Sequence, residues 1–573
     1  MSYGTENVLK RQVEFYKTLY KSEPIDENEG NFFLNNMESE LSESSKMSLE
    51  NDFDINELYK SVCNMKLNKS PGPDGIPIEF YRKYWSVVGK DLHEVLQSCY
   101  DCNELSYTQY LAVISLLYKK GIRENIKNWR PISLLNVDLK ILSKLLADRL
   151  KKVLPDIIHV DQQGCVPGRY IGKNIRLLED VINETDDDAV ILILDQEKAF
   201  DRIEWKWMYK VLEKMNFGNN FIKWLKLIYK QPKSAILTNG ILSTFFDVSR
   251  GIRQGDALSA LLYIIQSEPF AEAIRKADNI RGIKVKINAD ETVEICYCHY
   301  VDDGNIMLEN VNMIDNCLEL INIFGVASGS KLNVEKTKGL VYNDNALLYD
   351  CQVQLTKGPE VVLGITMGKN ISHSEFWTSK VEKLKASLQV WKTRNLTFKG
   401  RVHLIKSVGI PSFLYGVEMR EISSNFVQDI MKVVWNFVWR DKKPLIRREI
   451  CTLKKEFGGI GMVDIPTIIK VRRIKMIVRL IEECDPDIKW NVIGLKSLKC
   501  LDKMFGVNFF TLKVFDSTDM INKCKIPFFY KECLLNFQEL MRKGKVREVD
   551  ENEIIWCNDK FRFSGKPVAF PHW

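Results

Sequence analysis

At 573 residues, 45% hydrophobic and 27% charged, the chain is too long for one compact core and too apolar for wholesale disorder; about two to four packed units are expected. Its 82 lysines and arginines barely exceed 75 acids, so any affinity for polyanions rests on where positive charge collects rather than on its total. Fourteen scattered cysteines, an opening "MSYGTENVLKRQ" without a charged-then-apolar leader, and a longest central apolar run, "ALSALLYIIQS", far short of the ~20 residues of a membrane span argue for reduced thiols in an intracellular protein, in cytoplasm or nucleus, and against membrane insertion.

Residues 6–21, "ENVLKRQVEFYKTLYK", carry helical apolar spacing, and the acidic, polar stretch from Glu23 to about Asp54 reads as a flexible linker. In "NKSPGPDGIPIEFYRKYW", Pro71, Gly72, Pro73, Asp74 and Gly75 predict a loop that enters a helix. "YLAVISLLYKKG" predicts a strand ending at Lys119 and Lys120. The run "AVILILDQEKAFDRIEWKWMYKVLEKM" predicts a strand that ends at Asp195 and gives way to a helix. "RGIRQGDALSALLYIIQSEPFAEAI" places a loop bracketed by Gly251 and Gly255 before a long helix. "ETVEICYCHYVDDGNIML" predicts strand, turn and strand, with Gly304 and Asn305 as turn residues.

From about Lys380 the character changes to basic helices. Between Lys380 and Lys406 eight Lys or Arg face one acid, and from Arg440 to Arg479 twelve face four. Trp391, Phe398, Trp435, Phe437 and Trp439 are threaded through both stretches, a mixture that suits phosphate binding and base stacking and equally suits solvated helices with buried aromatics. Cys99 and Cys102 form a C-x-x-C with no second pair at zinc-finger spacing, so buried thiols are expected there.

Adjacent aspartates repel unless they face water or share a cation. "ETDDDAV", Glu184 to Val190, stacks carboxylates in what reads as a solvated loop, so Asp302 and Asp303 decide nothing alone. The third carboxylate, Asp195, lies at a strand end from which adjacent strands converge. Three hard oxygen donors suit Mg²⁺, and two such ions ~4 Å apart support nucleotidyl transfer.

The ordered series "KSPGPDGI", "NWRPISLLN", "QQGCVPGRYIGKNI", "LDQEKAFDR", "RGIRQGDALS", "YVDDG" and "GSKLNVEKTK" resembles the reverse transcriptase of non-LTR (LINE-type) retrotransposons. Weaker similarity runs on through "VVLGITM", "GRVHLIKS", "FGGIGMVDI" and "IIWCNDKFRFSGKPVAF". The resemblance implies an α+β right hand: fingers, a palm with an antiparallel sheet, a helical thumb and a mostly helical C-terminal region. The expected division is 1–55 (N-terminal helix and linker), 56–345 (fingers and palm), 346–480 (primer-grip segment and basic thumb) and 481–573 (C-terminal region).

It further implies two Mg²⁺ ions, with Mn²⁺ as a substitute, held by Asp195, Asp302, Asp303 and the backbone carbonyl of Gln196. Phe200 matches the aromatic gate against a ribose 2′-hydroxyl. Lys119 or Lys120 and Arg130 match the residues that grip the triphosphate. Gln254 and Gly255 match those at the incoming nucleotide, and Lys336 the lysine that protonates pyrophosphate. Gly164, Gly168 and Arg169 resemble the template-contacting loop, and Leu363 and Gly364 lie in the primer-grip segment "VVLGI". The implied partners are an RNA template, a DNA primer and dNTPs.

Ala257 and Ala260 stand where the family usually has proline, Cys165 where an aromatic is common, and Val301 where many members have alanine. No endonuclease, cysteine-histidine knuckle or RNase H segment is recognisable, and "KPVAFPHW" reads as an interruption of a family segment, so an endonuclease supplied elsewhere and a fragmentary copy are expected. A catalytically silent RNA-binding remnant is the alternative that the intact aspartates oppose; an RNA-directed RNA polymerase is opposed by Phe200, and a group II intron-type enzyme by the lack of maturase features.

Overall fold

The computed structural model describes residues 4–288, 290–369, 371–482, 488–505, 518–523, 525–543, 562–563 and 566–567. The chain divides into two compact units, one of residues 1–171, 186–283 and 294–357, the other of 172–185, 284–293 and 358–573. The division expected from sequence differs: the N-terminal segment belongs to the first unit, and the helix Gly172–Glu184 belongs to the second. Of "IIWCNDKFRFSGKPVAF", only Arg562, Phe563, Lys566 and Pro567 fall within the described residues.

The strands are β1 (Leu111–Tyr118), β2 (Trp129–Leu135), β3 (Val190–Leu194), β4 (Lys233–Thr238), β5 (Ile241–Leu242), β6 (Phe246–Asp247), β7 (Ile283–Lys286), β8 (Thr292–Ile295), β9 (Tyr297–Tyr300), β10 (Asp303–Leu308), β11 (Lys338–Val341) and β12 (Gln354–Thr356). One sheet has the order β2-β1-β4-β5, with β6 also on β4; a second has the order β12-β11-β3-β10-β9; β7 and β8 form a separate ribbon. In the second sheet β3 is central, antiparallel to both β10 and β11. Its sequence, VILIL, is almost wholly buried, which is why it reads as a continuous apolar run rather than an alternating one. The helix Ser259–Lys276 is apolar around most of its circumference and correspondingly buried, with Leu261, Leu262, Ile264 and Ile265 in the core.

Residues 23–54 are folded rather than a flexible linker. Helices Glu27–Asn35 and Glu43–Glu50 are capped by Asp26, which accepts from the Asn28 and Glu29 amides, and by Ser42, which accepts from that of Ser45. Phe33, Leu34, Met37, Leu41, Leu49 and Phe53 are buried in the main core. Acids here occupy caps and exposed faces, so the composition conceals apolar residues that each contribute about 1.5–3 kcal/mol when buried, before ordering costs. Arg250, only 1% exposed, ties this segment down. Its guanidinium donates to the Leu19 carbonyl at 2.8 Å, to Glu23 at 2.8 Å and to Glu204 at 3.2 Å.

The second unit is mainly helical. In His373–Lys392, Trp377, Val381, Leu384 and Leu388 recur at helical spacing and pack with Phe413, Val417, Ile430, Val434 and Phe437 from the helices Ile410–Met419 and Ser424–Trp439. Trp435 and Phe437 are therefore core residues, and Trp391, Phe398 and Trp439 pack against the same cluster. The lysines between them, such as Lys383 and Lys385, are exposed. A hairpin of β13 (Glu360–Val362) and β14 (Ile365–Met367) precedes these helices, turning through Leu363 (φ 49°) and Gly364 (φ 81°), both left-handed as a two-residue hairpin turn requires.

Candidate active site

Asp195 follows the last residue of β3. Its amide donates to the Thr337 hydroxyl at 3.2 Å and its carbonyl accepts from the Asn333 amide at 2.8 Å. The same pairing continues with the Glu197 amide on the Lys331 carbonyl at 2.8 Å, and Gln196 bridges Leu332 between these bonds. Gln196 is thus the non-hydrogen-bonded partner, and its own carbonyl turns away from Leu332. Lys336, in the same flanking segment, holds its Nζ 3.9 Å from Asp195 Oδ2, and both side chains remain accessible.

The second arm is the β9–β10 hairpin. Tyr300 pairs with Asp303, so the turn consists of Val301 and Asp302, and not of Gly304 and Asn305 as their residue types suggest. Gly304 and Asn305 are buried in β10. A Cβ on Gly304 would stand 2.8 Å from the Tyr297 hydroxyl, so glycine here serves ring packing. Val301 has φ 58°, a left-handed conformation that a β-branched residue adopts at a cost. Gly304 also pairs with Leu194, so the next residues, Asp303 and Asp195, are neighbours across the strands.

These carboxylates feel one another. Burial pushes Asp303 up to about 6, with the Asp302 and Asp195 charges adding to the shift and Lys119 and Arg130 opposing it. Burial raises Asp302 as well; its own backbone amide, Lys119 and Arg130 oppose the rise, while Asp195 adds to it. Lys119 is thus among the largest charge influences on the aspartates, and Lys120 is not. Arg130 stands on β2 opposite Leu117 of β1, exposed. Among the described residues, no three or more His, Cys, Asp or Glu side chains close on a point as a ready metal-holding group. The three aspartates are adjacent but not drawn together. Their hard oxygen donors, and the elevated Asp303, are nonetheless the donor set that a divalent cation relieves.

Phe200 lies just after a left-handed Lys198 (φ 54°), with its ring stacked on Tyr263 at 5.0 Å. Burial, together with the nearby Asp302 and Asp303, raises the Tyr263 phenol far above its usual range, so this aromatic pair borders the carboxylates. Gln254 accepts the Ser133 amide on its backbone carbonyl at 2.8 Å and aims its side-chain amide at the Asp201 carboxylate, 3.4 and 3.5 Å away. Asp201 is buried, which raises it to about 6, and it also accepts from the Tyr20 hydroxyl at 3.0 Å. Gly255, at φ 113°, passes so close to β2 that a Cβ would lie 3.0 Å from the Ser133 carbonyl oxygen.

Gly164 packs against the hairpin: a Cβ there would lie 2.6 Å from Val301 Cγ2 and 2.7 Å from the Val301 amide nitrogen. Gly168 is exposed and left-handed at φ 78°. The Arg169 guanidinium is engaged inward, donating to the carbonyls of Ile158, His159 and Gln162, which makes it the strut of its own loop. Leu363 and Gly364 form the hairpin turn of the second unit, where the Tyr415 hydroxyl donates to the Leu363 carbonyl at 2.9 Å. Sequence reasoning missed Lys198, whose Nζ donates to the Trp129 carbonyl at 3.0 Å beside Arg130 and whose charge interacts with Lys119 and Lys336. Only its place within "DQEKAFD" could have drawn notice.

Residues 117–385 match the family described as reverse transcriptase (RNA-dependent DNA polymerase). This segment is a reverse transcriptase domain, similar to those of non-LTR retrotransposon proteins. The chain is 28% identical over 570 residues to the "Transposon TX1 uncharacterized 149 kDa protein" of Xenopus laevis, covering 97% of this chain and 43% of that protein. It is 24% identical over 292 residues to the "Retrovirus-related Pol polyprotein from type-2 retrotransposable element R2DM" of Drosophila melanogaster, 49% of this chain and 26% of that protein. Against the R1 Pol polyprotein of Bradysia coprophila it is 28% identical over 208 residues, 36% of this chain and 20% of the relative. The chain with this reverse transcriptase domain therefore spans under half the length of these relatives. No described helix is long and apolar enough to cross a membrane.

Proposed function

We propose that this chain is an RNA-directed DNA polymerase that extends the 3′ end of a DNA primer along an RNA template, using dNTPs. The observation that carries the proposal is the placing of Asp195, Asp302 and Asp303 side by side at one end of the sheet, with Lys119, Arg130 and Lys336 nearby. Asp195, Asp302, Asp303 and the Gln196 carbonyl are the residues that would hold two Mg²⁺ ions, or Mn²⁺ in their place. When bound, those ions polarise the attacking hydroxyl and neutralise charge on the reacting phosphate.

In this reading the primer 3′-hydroxyl loses its proton to solvent water and its oxygen bonds to the α-phosphorus. The bond from that phosphorus to the α,β-bridging oxygen breaks, and pyrophosphate leaves with the electron pair. Lys119 and Arg130 bind and orient the triphosphate, the guanidinium fork matching phosphate oxygens. Lys336, beside Asp195, supplies a proton to departing pyrophosphate. The Phe200 ring, backed by Tyr263, occupies the space a ribose 2′-hydroxyl needs. Gly164, Gly168, Leu363 and Gly364 are assigned to template or primer contact.

Primer extension on an RNA template with Mg²⁺, offering dNTPs or NTPs, tests this. The expected result is deoxynucleotide incorporation by the wild type, its loss in Asp302→Asn, and a fall in discrimination against NTPs of about 10–100-fold in Phe200→Ala. Folded protein that binds the duplex but incorporates nothing would instead mark a silent RNA-binding copy.

A further inference from the structure

The turn that presents Asp302 is conformationally expensive, since Val301 is β-branched and left-handed, yet its hairpin closes with only two residues. Something must hold it, and a single side chain does so from outside the hairpin. Gln162 is fully buried. Its Oε1 accepts from the Val301 amide at 2.9 Å and from the Gly164 amide at 2.7 Å. Its Nε2 is 3.4 Å from the Val301 carbonyl and donates to His299 Nδ1 at 2.9 Å. One amide group thus engages both backbone groups of the strained residue, as a neighbouring strand would.

The surroundings hold that amide in place. The loop carrying Gln162 is added to the edge of β9: the His299 amide donates to the Asp161 carbonyl at 3.1 Å, and the Gln163 amide donates to the His299 carbonyl at 3.0 Å. His299 is buried, which pushes it down to about 3, so its ring is neutral and its Nδ1 accepts from the Gln162 amide. Asp161 is anchored beneath by His159 at 3.0 Å and by Arg275 at 3.6 Å; Arg275 in turn donates to the buried Glu268 at 2.6 Å. Gly164 has no Cβ because Val301 fills that space.

We infer that Gln162 is a positioning residue for nucleotidyl transfer: its amide clamps the left-handed turn at Val301 and so sets where Asp302 and Asp303 present their carboxylates. The inference rests on the polymerase reading for its kinetic consequence. It needs no contact between Gln162 and template, primer or nucleotide. The clamp reads the backbone of residue 301 rather than its side chain, so it would serve equally with another residue at that position.

The test uses the full chain as wild type, Gln162→Met, Gly164→Ala, Asp302→Asn, Val301→Gly, and Gln162→Met with Val301→Gly. Readouts are kcat in primer extension, Kd for template–primer, Mn²⁺ affinity by electron paramagnetic resonance with Asp302→Asn defining the site, and Tm. Gln162→Met is expected to lower both kcat and Mn²⁺ affinity by about 10–100-fold while template–primer Kd stays within about twofold. Glycine takes φ 58° freely, so adding Val301→Gly to Gln162→Met is expected to recover at least about fivefold of the lost kcat. A merely structural role for Gln162 predicts no such rescue.

Should Gln162→Met fail to fold, Gly164→Ala probes the same contact by pushing on Val301, and the same joint loss is expected. Wild-type kcat and Mn²⁺ affinity in these variants, or a loss in Gln162→Met confined to template–primer Kd, would overturn the clamp. A wild type that never extends a primer would count against the polymerase reading instead, and the Mn²⁺ comparison alone would then decide the clamp.

Discussion

Two runs of adjacent aspartates in this molecule meet opposite fates. Asp186, Asp187 and Asp188 sit in the loop before β3, all exposed, where the Asn343 side-chain amide donates to the Asp187 carbonyl and to Asp188 Oδ1, each at 2.9 Å. Asp302 and Asp303 sit at the far end of the same strand's neighbour, where loss of solvation raises both, with the Asp195 charge adding to Asp302 and the Asp302 and Asp195 charges adding to Asp303. The residue types are the same, and the difference lies in what surrounds them: water and a neutral amide in one case, Asp195, Lys119 and Arg130 in the other. A carboxylate pair becomes chemically useful when the fold sets a third carboxylate and fixed cations beside it, even where one member, Asp303, still reaches water.

The largest way to break that comparison is to neutralise one member of each run. Asp302→Asn or Asp195→Asn is expected to lower primer extension by on the order of 10³-fold or more, the loss of several kcal/mol of charge stabilisation in the transition state. Asp186→Asn is expected to leave the rate within about twofold, as for a solvated surface charge. Equal losses in both would mean that the surroundings described above do not distinguish the runs.

A smaller effect separates the two finger lysines. Lys119 is among the largest charge influences on Asp302 and Asp303 and Lys120 is not, so Lys119→Ala is expected to raise KM for dNTP by about tenfold and Lys120→Ala by less than about twofold. Steady-state kinetics on one template decides this. A larger effect from Lys120 would assign the triphosphate to the other side of β1's end.

How much of this was legible in the sequence follows from how local each signal is. The end of β3 at Asp195 and the hairpin around Asp302 could be read because an apolar run followed by a carboxylate is a contiguous pattern. The turn position could not: Gly304 and Asn305 are the usual turn formers, whereas the register buries both and leaves Val301 to take the left-handed conformation. The folding of residues 23–54 was hidden because Phe33 and Leu34 are diluted among acids that serve as caps. Trp435 and Phe437 left base stacking and burial equally open until their neighbours Ile430 and Val434 placed them in a core. Gln162 carried no signal of its own, because its role depends on a partner brought near only by the fold.

The smallest effect is on stability, and its sign tests the electrostatic half of the comparison. The folded-state value of Asp303, about 6, lies above its ordinary 3.8. Between those values the folded protein keeps a proton that the unfolded chain releases, so Asp303 makes the metal-free protein less stable as pH rises from about 4 to about 6, and the loss persists above that. Asp201 and Asp180, each also near 6, act in the same direction, so the wild type alone cannot isolate Asp303. The difference between wild type and Asp303→Asn can. At pH 7 without divalent metal, Asp303→Asn is expected to raise Tm by about 1–2 °C, and at pH 4 the two proteins are expected to melt together. Mg²⁺ should invert the order at pH 7, stabilising the wild type more than the variant, because binding to the folded state adds stability only where the ligand set is intact. Asp186→Asn should show neither the pH-dependent gain nor the inversion. An Asp303→Asn gain that is the same at pH 4 and pH 7 would trace the effect to packing, and the contrast between the two aspartate runs would then have to rest on geometry without charge.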